Sequence, residues 1–338
     1  MPEQDADIER LRTGLAAGGA GMRVLIHASD PGPAEGVLAT ALPGADLICH
    51  DSYDGVAELL QRTRPELCLS YRFGPGYPRA PLVEGPHAPA YLHVAGTGFD
   101  HLLPFDPDRL LVCNSAGFQA PVMADYALAA IYAINLDLAH FHAQQVRRDW
   151  SARMLRSAEG QHAVILGTGP IGAAIARRLT AAELQVTGIS RSGQAHPDFA
   201  RVQPVDGLAA VAASAHHLVI AIPLTEATRG LVSAHVLAEL PAGAGVVNLA
   251  RGGIVDEGAL LARLRGGNLR GAVFDVFATE PLPPDDPLWH APGMIVTPHS
   301  AALFDGWEAA AARVFADNLG RLACGKVPLN RVDPSRGY

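Results

Sequence analysis

Short apolar runs recur along the chain, each closed by a loop or by a stretch with helical spacing. The first, "MRVLIHAS" (22–29), predicts a buried strand, and "ELCLS" (66–70), "AYLHVAG" (90–96) and "LLVCN" (110–114) predict three more. Pro- and Gly-rich loops separate them, with room for helices over 33–42 and 54–63. Strands alternating with helices predict a parallel α/β sheet. A second series begins at "HAVILGTGPIGAAIARRL" (162–179) and continues through "QVTGIS" (185–190), "HLVIAIP" (217–223), "GVVNLA" (245–250), "GAVFDVF" (271–277) and "MIVTP" (294–298). Helical segments fill its gaps, as in a doubly wound sheet with helices on both faces.

Between the two series a long helix is expected. Pro121 suits a first helical turn, and Met123, Ala127, Ile131, Ile134 and Leu138 recur at helical spacing. A last helix over 306–323 is expected to pack back on the first unit and make it discontinuous. Residues 1–21 are expected to be a poorly ordered tail with room for a short helix. The expected division is therefore 22–118 plus 300–338 for one domain and 119–299 for the other.

Composition removes several function classes. A chain of 338 residues with 49% apolar content can bury a large core in two domains. With 18% charged residues and a net charge of −8, disorder, a nucleic-acid surface and an anionic membrane surface are all disfavoured. The first residues are acidic, unlike a signal peptide, and no stretch reaches the ~18–20 apolar residues of a membrane span. A soluble, cytoplasmic protein is expected. Cys49, Cys68, Cys113 and Cys324 lie far apart, so neither a disulfide framework nor a metal site is expected. The only lysine is Lys326, outside any glycine-rich loop. That removes a Schiff-base amine and a Walker-type loop, leaving Arg and backbone amides to hold any phosphate.

Gly167, Gly169 and Gly172 form a GxGxxG between an apolar strand and a helix carrying Ile171, Ile175 and Leu179 as its buried stripe. In that setting the first glycine allows a tight turn, the second lets the backbone approach a pyrophosphate, and the third lets helix pack on strand. The helix start adds free N–H groups. An ordinary strand–helix turn is the plainer reading, and the flanking pattern disfavours it. An acid at the end of the second strand would bind ribose hydroxyls, but this chain has Ser190, Arg191 and Ser192 there. A carboxylate would repel a 2′-phosphate, whereas a guanidinium and two hydroxyls bind it. NADP(H) is expected, with NAD(H) disfavoured.

Three polar residues follow apolar strands: Arg251, Glu280 and His299. In an open parallel sheet the carboxyl ends of the strands line the ligand crevice. Ketone reduction needs a proton donor near neutral pH, which His supplies. A neighbouring carboxylate orients the imidazole, and a guanidinium can hold the planar carboxylate of a 2-oxoacid. The plainer alternatives are a structural histidine, a solvated turn acid, and a salt bridge from Arg251 to Asp256 or Glu257. His93, His101, His216, His217 and His290 are expected in surface or packing roles.

"PLTEATRGLV", "VVNLARGGIVDEGAL", "LRGAVFDVFATEPLP", "DPLWHAPGMIVTPHSA" and the glycine loop together resemble the D-isomer-specific 2-hydroxyacid dehydrogenases, over about 90–335. The "SRS" motif and the ending "VDPSRGY" resemble the NADPH-dependent glyoxylate/hydroxypyruvate reductase branch. The resemblance implies a Rossmann-type doubly wound domain inserted into a flavodoxin-like substrate domain. It implies His299 as acid/base, Glu280 as its partner and Arg251 as anchor of carboxylate and carbonyl. Thr97 and Gly98 would give backbone amides to the substrate carboxylate, and Asp275 would meet the nicotinamide carboxamide. The implied cofactor set also includes Thr168, Pro170 and Ile171 of the loop, with Ile222, Pro223, Thr228, Leu249 and Ala250 from the later motifs. A homodimer is implied, built on the helix near Pro121, with Trp150 a candidate to reach a partner's pocket. The chain departs from the family in having Asp125 and Asn135 on that helix, and Ala95 and Gly96 before Thr97. A phosphonate dehydrogenase and a dinucleotide-sensing corepressor are the alternatives. Neither a nucleic acid nor a membrane is an expected partner.

Overall fold

Runs of Val, Ile and Leu with no polar interruption become strands covered on both faces. The computed structural model describes residues 2–334 apart from 73 and 75; the last four residues of "VDPSRGY" and two positions of "YRFGPGYP" lie outside the description. The chain divides into two compact units, 1–118 with 304–338, and 119–303.

The first unit opens with helix α1 (Pro2–Ala16). This is where the sequence predicts a poorly ordered tail. Leu11 and Leu15, four apart, are buried in the same cluster as Leu38 and Phe315, so a narrow stripe on a polar segment finds its partner at the far end of the chain. Strands β1 (Arg23–His27), β2 (Asp46–His50), β3 (Leu67–Ser70), β4 (Tyr91–Val94) and β5 (Leu111–Asn114) follow, with α2 (Gly32–Ala41) and α3 (Val56–Thr63) between the early ones. They pair in parallel in the order β2-β1-β3-β4-β5, the flavodoxin-like order.

The second unit begins with α4 (Ala120–Asn135), whose Met123, Ala127, Ile131 and Ile134 are buried. The helix stops one turn short of the expected stripe. Asp137 takes a left-handed φ of 54°, the axis bends by 60°, and Leu138 starts α5 (Leu138–Arg147) half exposed. Then come β6 (His162–Leu166), α6 (Pro170–Ala181), β7 (Gln185–Ser190), β8 (Arg201–Pro204), α7 (Leu208–Ala212), β9 (His217–Ile220), α8 (Ala234–Glu239), β10 (Ala244–Asn248), α9 (Glu257–Arg265), β11 (Leu269–Phe274) and β12 (Met294–Val296). The parallel order is β12-β11-β10-β9-β6-β7-β8. Its strand order reverses between β6 and β9, which places a crevice at their carboxyl ends. Val164 and Leu166 pack on one face of this sheet, while Ala163 and Ile165 pack on the other.

The chain then returns to the first unit with α10 (Trp307–Ala323). β2 and β8 are absent from the sequence reading, and both are partly exposed edge strands. Among the described residues, no single helix is long and apolar enough to cross a membrane.

Candidate active site

The glycine loop is held by its own packing. Gly167 turns with a φ of 112°, a conformation side chains disfavour, and a Cβ there would strike the Ala221 carbonyl. A Cβ on Gly172 would strike the Gly167 carbonyl, so the first turn of α6 rests on the loop. A Cβ on Gly169 would meet nothing within 4 Å. Two glycines are thus demanded by the fold, and the third leaves room for a ligand. Gly169 is the N-cap of α6, with Pro170 in the first turn and no side-chain cap. The helix therefore offers uncapped N–H groups and the positive end of its dipole to an anion. Ile171 packs beneath, on the core.

Beyond the end of β7 is a groove of about 310 Å³, lined by Thr168, Ser190, Arg191, Ser192, Gln194, Ala195 and His196. No carboxylate lines it. Ser190 Oγ accepts from the Gly193 amide at 3.1 Å, bracing the turn. After β9, Ile222 and Pro223 begin a loop that Thr228 folds back. Its hydroxyl accepts from the Thr225 amide and donates to the Pro223 carbonyl, both at 2.7 Å.

At the end of β10, Asn248 braces the chain from two sides. Its Oδ1 accepts from the Ala250 amide at 3.2 Å, and its Nδ2 donates to the Arg251 carbonyl at 3.3 Å. Leu249 and Ala250 are buried. Arg251 is partly exposed, and its Nη1 donates to the Ala250 carbonyl at 2.7 Å. Of the two acids after it, Asp256 caps α9 through the Ala259 amide, and Glu257 accepts from the Ala278 amide. A Cβ on Gly252 would overlap the Phe277 carbonyl, so β10 and the chain after β11 approach as closely as backbones can.

Asp275 is buried just after β11. Its Oδ1 accepts from Thr297 Oγ1 at 2.5 Å and from the Ser300 amide at 2.7 Å, and its Oδ2 accepts from the Ala301 amide at 2.9 Å. The His299 amide donates to the Asp275 carbonyl at 2.8 Å. These bonds hold a turn in which His299 has a φ of 54°, a rare value outside glycine. Tyr126 of α4 joins through Thr297, 2.6 Å from its hydroxyl.

His299 Nδ1 lies 2.7 Å from Glu280 Oε2. Glu280 Oε1 accepts from the Phe277 amide at 2.9 Å. Burial pushes the Glu280 carboxyl up, but the bonds from His299 and Phe277 and the charges of His299 and Arg251 outweigh it and hold it below the ordinary carboxylate value. An ionised carboxylate, an imidazole and a guanidinium thus stand at the carboxyl ends of neighbouring strands. That set can bind a small anion and move a proton.

Thr97 and Gly98 belong to the other unit, where they follow β4. Asn114 Nδ2 donates to the Thr97 carbonyl at 2.7 Å, and the Ser115 amide donates to the Gly96 carbonyl at 3.0 Å. The neighbouring His93 is fully buried between Tyr91 and Ser115, and burial pushes it down to about 3; its role is packing. The two departures on α4 have partners within the unit. Asp125 pairs with Arg178 at 2.7 Å, and Asn135 donates to Gln161 at 3.1 Å. Asn248, Thr297 and Tyr126 are the site residues missed by the sequence reading.

A parallel doubly wound sheet, a glycine-rich turn at its switch point and an acid–base pair on the same edge define a dinucleotide-binding oxidoreductase. The family model described as "D-isomer specific 2-hydroxyacid dehydrogenase, NAD binding domain" matches residues 128–301. A family protein from Aeromonas salmonicida subsp. salmonicida A449 is 28% identical with a TM-score of 0.83, over 93% of this chain and 100% of that one. A D-isomer specific 2-hydroxyacid dehydrogenase from Xanthobacter autotrophicus Py2, solved with NADPH and MES, is 31% identical with a TM-score of 0.80, over 94% and 100%. An NADPH-dependent glyoxylate/hydroxypyruvate reductase from Sinorhizobium meliloti, solved with NADP and sulfate, is 25% identical with a TM-score of 0.80, over 94% and 100%. The chain belongs to the D-isomer specific 2-hydroxyacid dehydrogenase family, and is an NAD(P)-dependent oxidoreductase of small molecules.

Proposed function

We propose that the protein is an NADP(H)-dependent reductase of small 2-oxoacids, with glyoxylate and hydroxypyruvate the first substrates to try. The observation that carries this reading is the His299–Glu280 pair at 2.7 Å, on the same sheet edge as Arg251 and the glycine loop. When bound, the dinucleotide supplies the hydride. His299 gives its proton to the carbonyl oxygen as that oxygen gains charge. Glu280, held ionised, keeps the ring in one orientation through its contact with Nδ1. Arg251 clamps the substrate carboxylate with its planar fork, and the backbone amides of Thr97 and Gly98 are the first unit's candidates for substrate binding. Asp275 sets the turn that carries His299 and uses its remaining acceptor capacity on the nicotinamide carboxamide.

Arg191, with Ser190 and Ser192, favours the 2′-phosphate of NADP(H) over the bare ribose of NAD(H), because no carboxylate lines that groove. The NADPH and NADP bound to the Xanthobacter and Sinorhizobium relatives support this. Residues 22–118 with 300–338 form the substrate domain in this reading, and 119–299 the dinucleotide domain. Val146, Trp150 and Met154 are strongly exposed at four-residue spacing among charged residues, large apolar side chains of the kind that pairing with a second copy would cover. We assign them to a homodimer interface.

The test is turnover of purified protein with glyoxylate, hydroxypyruvate and other 2-oxoacids, with NADPH and NADH in parallel. NADPH oxidation with at least one small oxoacid is expected, and Arg191→Ala should erase the preference over NADH. No oxidation with any oxoacid would sink the reading.

A further inference from the structure

The amino-terminal edge of the second unit's sheet carries a groove that the proposed reaction does not use. Its volume is about 610 Å³, and Gly243, Leu269 and Gly293, at the starts of β10, β11 and β12, form one side. His299 and the glycine loop sit at the carboxyl ends of the strands, so this groove is separate from them. Three guanidinium groups line it, from Arg153, Arg156 and Arg270. Asp137 is the one carboxylate among the lining residues, and it is paired with Arg153 at 2.8 Å.

The other two cations are fixed in place without being neutralised. Arg270 donates through Nε to the Ile134 carbonyl at 3.0 Å and through Nη2 to the Asn135 carbonyl at 3.1 Å, at the carboxyl end of α4. Arg156 donates to the Gly243 carbonyl at 2.7 Å. Carbonyl dipoles orient a guanidinium but do not cancel its charge. Burial, and then the neighbouring Arg156 and Arg153, push Arg270 below its ordinary value, with Asp137 opposing only in part. This concentration of positive charge sits in a protein whose net charge is −8. Like charges held together in that way are stabilised by a multivalent anion, and preorganised forks suit phosphate oxygens.

We propose that this groove is a binding site for a multivalent oxyanion of the phosphate class, remote from the catalytic edge. Arg156 and Arg153 supply the principal charge-assisted bonds, Arg270 the fixed background charge, and Asp137 competes with the ligand for Arg153.

The test is calorimetric titration with pyrophosphate at low salt, with the dinucleotide site first saturated with NADPH so that the glycine loop is filled. One saturable site per chain is expected. Arg156→Ser and Arg153→Ser should each weaken binding about tenfold. Asp137→Asn should tighten it several-fold, since Asn tolerates the left-handed backbone at φ 54°. A carboxylate from a second copy would offer similar chemistry, so sedimentation is measured alongside. Binding must leave the oligomeric state unchanged. Absence of binding, equal affinity in the Arg153/Arg156 double variant, or dissociation of an oligomer on binding would each overturn the proposal.

Discussion

Glu280 divides its two oxygens between an imidazole and its own loop. One faces His299 Nδ1 and the other takes the Phe277 amide. Because its pKa is lowered, the stability it contributes is present above the ordinary carboxylate value and is lost as pH falls through the lowered one. Glu280→Gln should therefore melt below wild type at neutral pH, with the gap closing only in the acid range. Melting curves from neutral pH downward check this, and a gap that widens on acidification would contradict it. The same variant should lose about ten- to a hundredfold in kcat. Arg251→Lys keeps the charge but loses the fork, so the KM for oxoacid should rise about tenfold or more with NADPH affinity unchanged. An unchanged KM would remove Arg251 from the substrate site. These three residues were legible because each interrupts or follows an apolar run where a buried strand ends. Tyr126 and Thr297 were not, because they meet across 171 positions of sequence and neither interrupts a pattern. Asn248 stood inside "VVNLAR" with a visible polar side chain, but nothing local shows that it braces the next turn.

At the scale of elements, what the sequence hid is what lies at the margins of the sheets. Strands covered on both faces announced themselves as unbroken apolar runs, whereas β2 and β8, at sheet edges, have mixed exposure and no such run. The end of α4 was hidden for another reason. The apolar spacing continues to Leu138, but a left-handed Asp137 breaks the helix first. Helix α1 was hidden because its stripe is only two leucines wide and its partners in α2 and α10 lie elsewhere in the chain. That packing makes a prediction. Leu15→Ala should cost about 2–4 kcal/mol of unfolding free energy, measured by denaturant melts of the whole chain. A loss below about 0.5 kcal/mol, the surface range, would return residues 1–21 to the status of a tail.

At the scale of the whole molecule, the two sheets have the two strand orders expected for a flavodoxin-like and a doubly wound unit. Alternation of strand and helix was enough to foresee two parallel α/β sheets, the second doubly wound; the flavodoxin-like order of the first came only with the family resemblance. The last helix, α10, groups with the first unit. Assembly is the least legible level, because an interface is written in exposed apolar residues that resemble noise within a single chain. Trp150 is fully exposed, with Val146 and Met154 close by in sequence. If that stretch joins two copies, Trp150→Ala should shift sedimentation toward monomer at micromolar concentration while leaving the melting profile of the monomer cooperative. An unaltered dimer, or a wild-type monomer, would place the interface elsewhere or deny it.

In the proposed reaction His299 moves the proton and does not merely help to build the dinucleotide site. Single-turnover and steady-state oxidation of NADPH by the wild type and His299→Gln, alongside a fluorescence titration of NADPH on both, tests it directly. Turnover of the responsive oxoacid should fall by about a hundredfold to ten-thousandfold, with NADPH affinity within about threefold of wild type. Retained turnover in His299→Gln, or a loss of turnover explained entirely by lost NADPH binding, would contradict it.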